Sequence, residues 1–406
     1  MRPREYWLPP EILRQVISHF IASADFDLVP YATVNRDWQA IIESITFATI
    51  YMDDQQRLEE FEQIMTRKKE RQSYIRTIYF TVELESYDLE LRREYETPEE
   101  HSRNNKIFEE TILFLFRALA TWPEHTAGIK LQIDARSLSD SFWGDPDETI
   151  REQNELPHGN LFDARFERSY LQIQEENLQK IPQVNVVTEL VVRGCMEHRL
   201  IRPASCASIA SRLPRLHTID LSLWDNEKRD IDLRKANRNE FALHFNLWPL
   251  SVKNFHFRFW YDAPLDHSYF PPDIVGVNME DPISAGLRHL SQQLTTITIT
   301  GLVGKELFWP FDPKEETPFW PNLKTFYLFY VRVTPSGKWL FERDGEEDED
   351  ELLHEEEPHG SVPDNLFQPE EDQYLDPFRT RASPELMGDF YVSAGHAAQR
   401  MPKLRQ

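Results

Sequence analysis

At 406 residues, 40% hydrophobic and 12% aromatic, the chain can bury a large core and has room for two or three domains. A formal net charge of −24 argues against nucleic acid as a partner, because phosphate binding needs a basic face that releases counterions. No secretion signal or membrane anchor is read: the longest apolar stretch, Ala40 to Met52, is broken by Glu43, and two cysteines without any Asn-x-Ser/Thr site fit a reducing compartment, cytoplasmic or nuclear.

The first element lies just after Pro9 and Pro10. Ile12, Leu13, Val16, Ile17 and Phe20 recur there at helical spacing, and proline suits a first helical turn, so an amphipathic helix starts near Pro10. Leu28, Tyr31 and Val34 form a second short stripe, and Trp38, Ile41, Ile42 and Ile45 a third. Three short helices cannot close a good core alone, and surplus apolar positions on such a module leave a strip for a partner.

The ordered residues Leu8-Pro9-Pro10-Glu11-Ile12-Leu13, Leu28, Val34-Asn35-Arg36-Asp37-Trp38 and Ile41 resemble the F-box motif over residues 6–52. The resemblance implies a three-helix module that binds a Skp-type linker, and through it a cullin scaffold, with Leu8, Pro9, Ile12, Leu13, Val16, Ile17, Val34 and Trp38 as the linker-binding residues. A subunit of this kind recruits a target protein to a ubiquitin ligase. A scaffold that uses the helices only for assembly, and a hydrolase as the least favoured reading, are the alternatives.

Residues 53–72 read as a connecting helix, with Leu58, Phe61, Ile64 and Met65 on one face and the cluster Arg67 to Arg71 on a solvated one. Beyond it the form Leu-x-x-Ile-x-Leu recurs, at Ile75/Ile78/Phe80, Val187/Leu190/Val192, Leu216/Ile219/Leu221, Val252/Phe255/Phe257, Leu294/Ile297/Ile299 and Leu323/Phe326/Leu328. Ile129 to Ile133 is a weaker strand of the same kind, and helical stretches at 107–119, 204–213, 283–293 and 385–401 fit between or after the strands. Alternation of strand and helix predicts parallel strands. The fold expected is α/β (α+β overall): an N-terminal three-helix F-box followed by an irregular leucine-rich-repeat-like solenoid over 73–406, with an ordinary α/β sheet as the alternative that shares the strand pattern. The phrase Arg212-Leu-Pro-Arg-Leu216, echoed at Arg400-Met-Pro-Lys-Leu404, resembles the leucine-rich-repeat-like C-terminal regions of fungal F-box proteins.

Strand parity then names a recruiting face. If Phe255, Phe257 and Phe259 point inward, His256, Arg258 and Trp260 point the other way, and the same register adds Arg193, Trp224, Tyr327 and Phe329. This aromatic and arginine-rich strip suits an unknown protein substrate unless a helix layer covers it.

Chemistry is sparse. There is no Gly-x-Gly-x-x-Gly, no Gly-x-Ser-x-Gly, no phosphate loop and no His-Glu-x-x-His, and Cys195 and Cys206 lack zinc spacing, so neither catalysis, cofactor nor metal is expected. Carboxylates crowd 342–357 and put a net −10 there, which reads as an acidic, disordered insertion at about 342–372. Met401 to Leu404 repeats a strand-introducing phrase with no strand after it, so a truncated chain with a loosely held segment from about 383 is expected.

Overall fold

Eight segments, most of them alternating apolar residues with polar ones, become strands: β1 (Thr49–Met52), β2 (Thr77–Leu84), β3 (Ile129–Ser137), β4 (Val187–Gly194), β5 (Thr218–Trp224), β6 (Asn254–Trp260), β7 (Thr296–Gly301) and β8 (Thr325–Tyr330). The computed structural model describes residues 9–21, 29–88, 90–91, 94–124, 128–140, 165–195, 198–275, 280–312, 314–343 and 376–405. The strands form one sheet in the order β1-β2-β3-β4-β5-β6-β7-β8, every neighbouring pair parallel. A small antiparallel pair, β9 (Phe341–Arg343) with β10 (Arg379–Ala382), stands apart.

Parallel neighbours need crossovers, and helices supply most of them. They are α3 (Gln55–Arg67), α4 (Pro98–Ala120), α5 (Pro203–Ser211), α6 (Ile231–His244), α7 (Pro282–Ser291) and, after β10, α8 (Pro384–Ala398). Start signals are local: Thr97 and Glu100 form a capping box on α4, and Asp281 accepts from Ser284 N on α7. All six send apolar residues into one cluster with the strand residues of a single parity. Leu58 and Phe61 of α3, Phe108 and Ile112 of α4, Phe241 of α6, Leu287 of α7 and Phe390 of α8 meet Ile78, Ile133, Leu190, Ile219, Phe257 and Ile297. Its densest part is aromatic: Phe255, Phe257 and Phe259 stack at 5.4 and 5.2 Å, with Phe241 5.5 Å from Phe257. The helices therefore cover one face of the sheet and, among the described residues, leave the other open.

The N-terminal part keeps its own small core. Leu13 and Ile17 of α1 (Pro10–Ile21) pack on Ile41 and Ile42 of α2 (Arg36–Thr46), with Val29–Thr33 a 3-10 turn between them. Asn35 caps α2 by accepting from Asp37 N and Trp38 N at 2.9 and 3.0 Å. Glu43 on α2 ties this pair to the body through Lys68 and Arg71, both at 2.8 Å.

The expected fold is corrected in two places. The first 52 residues do not make a three-helix module followed by a solenoid: the described part holds two α-helices and a 3-10 turn, and Thr49–Met52 is already the first strand of the sheet. The rest of the described chain builds the ordinary α/β alternative, an eight-stranded all-parallel sheet beside one small antiparallel pair, and not a solenoid of repeat units. Successive strands start as little as 28 residues apart (Thr49 to Thr77) and as much as 58 (Ile129 to Val187), so no constant unit repeats. The phrase Arg212 to Leu216 is a helix-to-strand turn, which any parallel α/β sheet needs, and its echo at Arg400 to Leu404 follows the last helix with no described strand after it. Nor is the last segment loosely held, since Met387, Phe390, Ala397 and Met401 are buried. Most of the acidic run, 344–372, lies outside the described residues.

Candidate functional site

Strand register turns the open face into rows. One row runs Val191, Asp220, His256, Thr298, Tyr327; the next runs Arg193, Ser222, Arg258, Thr300, Phe329; above them Trp224 pairs with Trp260. All of the expected recruiting residues, Arg193, Trp224, His256, Arg258, Trp260, Tyr327 and Phe329, are thus brought onto one surface by four strands, β4, β5, β6 and β8. Tyr327 and Phe329 are 58% and 61% exposed, and Trp224, His256 and Trp260 are half-buried.

The middle of the face is held by charge. Arg193 grips Asp220 with two hydrogen bonds of 3.0 and 2.9 Å, and Arg258 stands 3.8 Å from the same carboxylate. Burial alone pushes the Asp220 carboxyl up, but Arg193 and Arg258 outweigh it and hold the group below its usual range. The same bond keeps the Arg193 guanidinium charged, its pKa raised by Asp220. Trp260 Nε1 donates to Ser222 Oγ at 3.2 Å, fixing one edge of the indole and leaving its ring for contact. Arg258 is the more exposed cation of the two, 45% exposed along its side chain against 26% for Arg193. A surface of this composition, aromatic and arginine-bearing, is what protein interfaces favour.

Sequence reasoning missed part of it. Asp220 was not named, although its place two residues before Ser222 on the same parity made it legible. Tyr51 and Tyr79, stacked at 4.9 Å on β1 and β2, extend the face to its first strand, and were hidden because β1 falls inside the stretch expected to be helical.

Open α/β sheets carry ligand crevices at the C-terminal ends of strands, where the strand order reverses. Here the order never reverses, and the ends of β5 to β7 are filled. Asp225 accepts from Arg234 at 3.0 and 3.0 Å and from Arg238 at 2.5 Å; Arg238 also holds Asp281 at 2.8 and 2.9 Å and donates to Leu302 O at 3.2 Å. A second buried set joins Arg199 to Asp140 and Glu96 at 3.1 and 3.2 Å. A cavity of about 280 Å³ lies beside these ends, lined by Lys305, Glu306, Lys338 and Phe390 among others. Among the described residues no group of three or more His, Cys, Asp or Glu could hold a metal, and no helix is long and apolar enough to cross a membrane.

At the N-terminus the expected linker-binding residues divide. Leu13 and Ile17 are core, Val16 and Trp38 are half-buried, and Pro9, Ile12 (43%) and Val34 (58%) are exposed. Trp38 leans on Tyr31 with ring centroids 6.2 Å apart. Leu8 lies outside the described residues. No protein-family model matches this chain, and no curated protein matches it.

Proposed function

We propose that the chain is a substrate-recruiting adaptor of a cullin-based ubiquitin ligase, acting in the cytoplasm or nucleus. It binds a Skp-type linker through the α1–α2 segment and a target protein through the open face of the sheet. One observation carries the reading: Leu13, Ile17, Ile41 and Ile42 close a small separate core while Ile12, Tyr31 and Val34, within the F-box-like stretch, stay outside it. Apolar side chains that a module cannot cover itself are what a partner's groove takes up.

The test uses the full chain with Ile12→Glu and Val34→Glu, both exposed and so neutral for folding. Linker affinity, measured with a purified Skp-type linker, should fall by about thirtyfold for each substitution, on the order of 2 kcal/mol per anchor lost, while the thermal midpoint stays put. Unchanged affinity overturns the assignment. Binding that survives in the unmutated chain without ubiquitin transfer in a reconstituted ligase identifies the scaffold instead.

A further inference from the structure

The last strand of the sheet has an outer edge that no described strand pairs with. Core-facing residues of β2 to β7 are at most 4% exposed, from Ile78 through Phe257 to Ile299. Their counterparts on β8, Phe326, Leu328 and Tyr330, are only half-buried, and Tyr391 of α8 is exposed. Proteins guard such edges with prolines, charges, bulges or brevity. Strand β1, at the opposite edge, has four residues; β8 has six, Thr-Phe-Tyr-Leu-Phe-Tyr, uncharged, without proline and in unbroken register with β7.

The edge also has a direction. Each inner crossing begins with the same rung: Lys253 N donates to His217 O at 2.9 Å, Thr295 N to Lys253 O at 2.7 Å, and Lys324 N to Thr295 O at 2.8 Å. Arg405 N repeats it on Lys324 O at 2.9 Å, so the backbone outside β8 already lies in parallel register at its first position. Alternation along a parallel strand then leaves Phe326, Leu328 and Tyr330 to offer their N–H and C=O groups outward. Four exposed cations, Lys324, Arg400, Lys403 and Arg405, gather at this end of an otherwise strongly acidic chain. The carboxylates of α8, Glu385 and Asp389, sit in its first turns at the other end of that helix, Asp389 paired with Lys305 at 2.7 Å.

We infer that the outer edge of β8 binds an extended segment of a partner protein as an added parallel strand. The segment is acidic at its N-terminal end, facing the cations, and then alternates apolar residues that complete the cover over Phe326, Leu328 and Tyr330. Main-chain hydrogen bonds supply the affinity and the alternate pockets the selectivity. The inference stands on the sheet alone and does not rest on linker binding.

The probe is a short synthetic peptide, acidic at its N-terminus and alternating valine with threonine after it, titrated into the full chain. Two versions carry N-methyl groups on every second residue, one blocking each edge of the peptide strand. Saturable binding is expected, with one methylated version weakened by about tenfold or more and the other retained, because only one edge meets β8. Hydrogen exchange should slow at the Phe326, Leu328 and Tyr330 amides, and Lys324→Glu with Arg405→Glu should weaken the acidic peptide but not one with the acids replaced by glutamine. Absence of binding, equal binding of both methylated versions, or protection confined to other strands overturns the inference. So does a concentration-dependent dimer in sedimentation that the peptide does not dissociate, which would assign the edge to a second copy of the chain.

Discussion

Replacing Asp225 with alanine tests whether the buried ion network holds the C-terminal ends of β5, β6 and β7. The substitution removes little apolar area, so a packing account alone assigns it about 1 kcal/mol or less. The network assigns it far more. Arg238 keeps Asp281, but Arg234 loses both of its hydrogen bonds while remaining 1% exposed, with the Tyr261 ring 4.1 Å away as its remaining neighbour of note. An uncompensated buried guanidinium costs about 3–5 kcal/mol. With a urea slope of about 2–3 kcal/mol per molar, the midpoint should drop by roughly 1–2.5 M. Asp225 N also donates to Trp260 O at 2.8 Å, so tryptophan fluorescence should report loosening of the open face together with far-UV circular dichroism. Arg234→Met added to Asp225→Ala should recover about 2 kcal/mol by removing the stranded charge. A single-mutant cost below about 1 kcal/mol, or strict additivity in the double mutant, refutes the reasoning.

Two carboxylates give opposite pH responses. Burial pushes Glu43 up, but hydrogen bonds from Arg71, Lys68 and Gln39 prevail and lower it from 4.5 to about 2. Its stabilisation is therefore present above about pH 4.5 and lost as pH falls toward 2. Glu43→Gln should cost on the order of 2–3 kcal/mol at pH 6 and converge with the unmutated chain near pH 2, read as hydrogen-exchange protection of α2. Glu167 behaves the other way: burial first, then the charge of Glu227, push it up to about 7 against Arg229 and Arg168. A raised carboxyl favours the fold below about pH 4.5, and that advantage is lost as pH rises through 7. Glu167→Gln should accordingly raise the thermal midpoint at pH 8 and leave it unchanged at pH 4; a lower midpoint at pH 8 would show that the 3.1 Å pair with Arg229 outweighs burial.

The residues carry an uneven amount of this. Phe255, Phe257 and Phe259 declared both a strand and its inward parity, and with them the outward placing of His256, Arg258 and Trp260, because side chains alternate along a strand whatever surrounds it. Helix α6 was not anticipated: Ile231–His244 carries arginines and asparagines among few apolar residues, and its Arg234, Asn237 and Arg238 are buried, the two arginines by ion pairs that no periodicity announces.

Local alternation, helical spacing and caps were therefore determined by the sequence itself, since each depends on neighbours within a turn or a strand. The tertiary structure alone decided that Thr49–Met52 joins the sheet, that helices α3 to α8 cover one face, and that Asp220 comes to lie under Arg193 and Arg258. It also decided that, among the described strands, β8 is left at an edge. Each of these depends on pairing between segments tens of residues apart, where the hydrogen-bonding capacity of every strand is the same and only the packing of the whole core selects the partner.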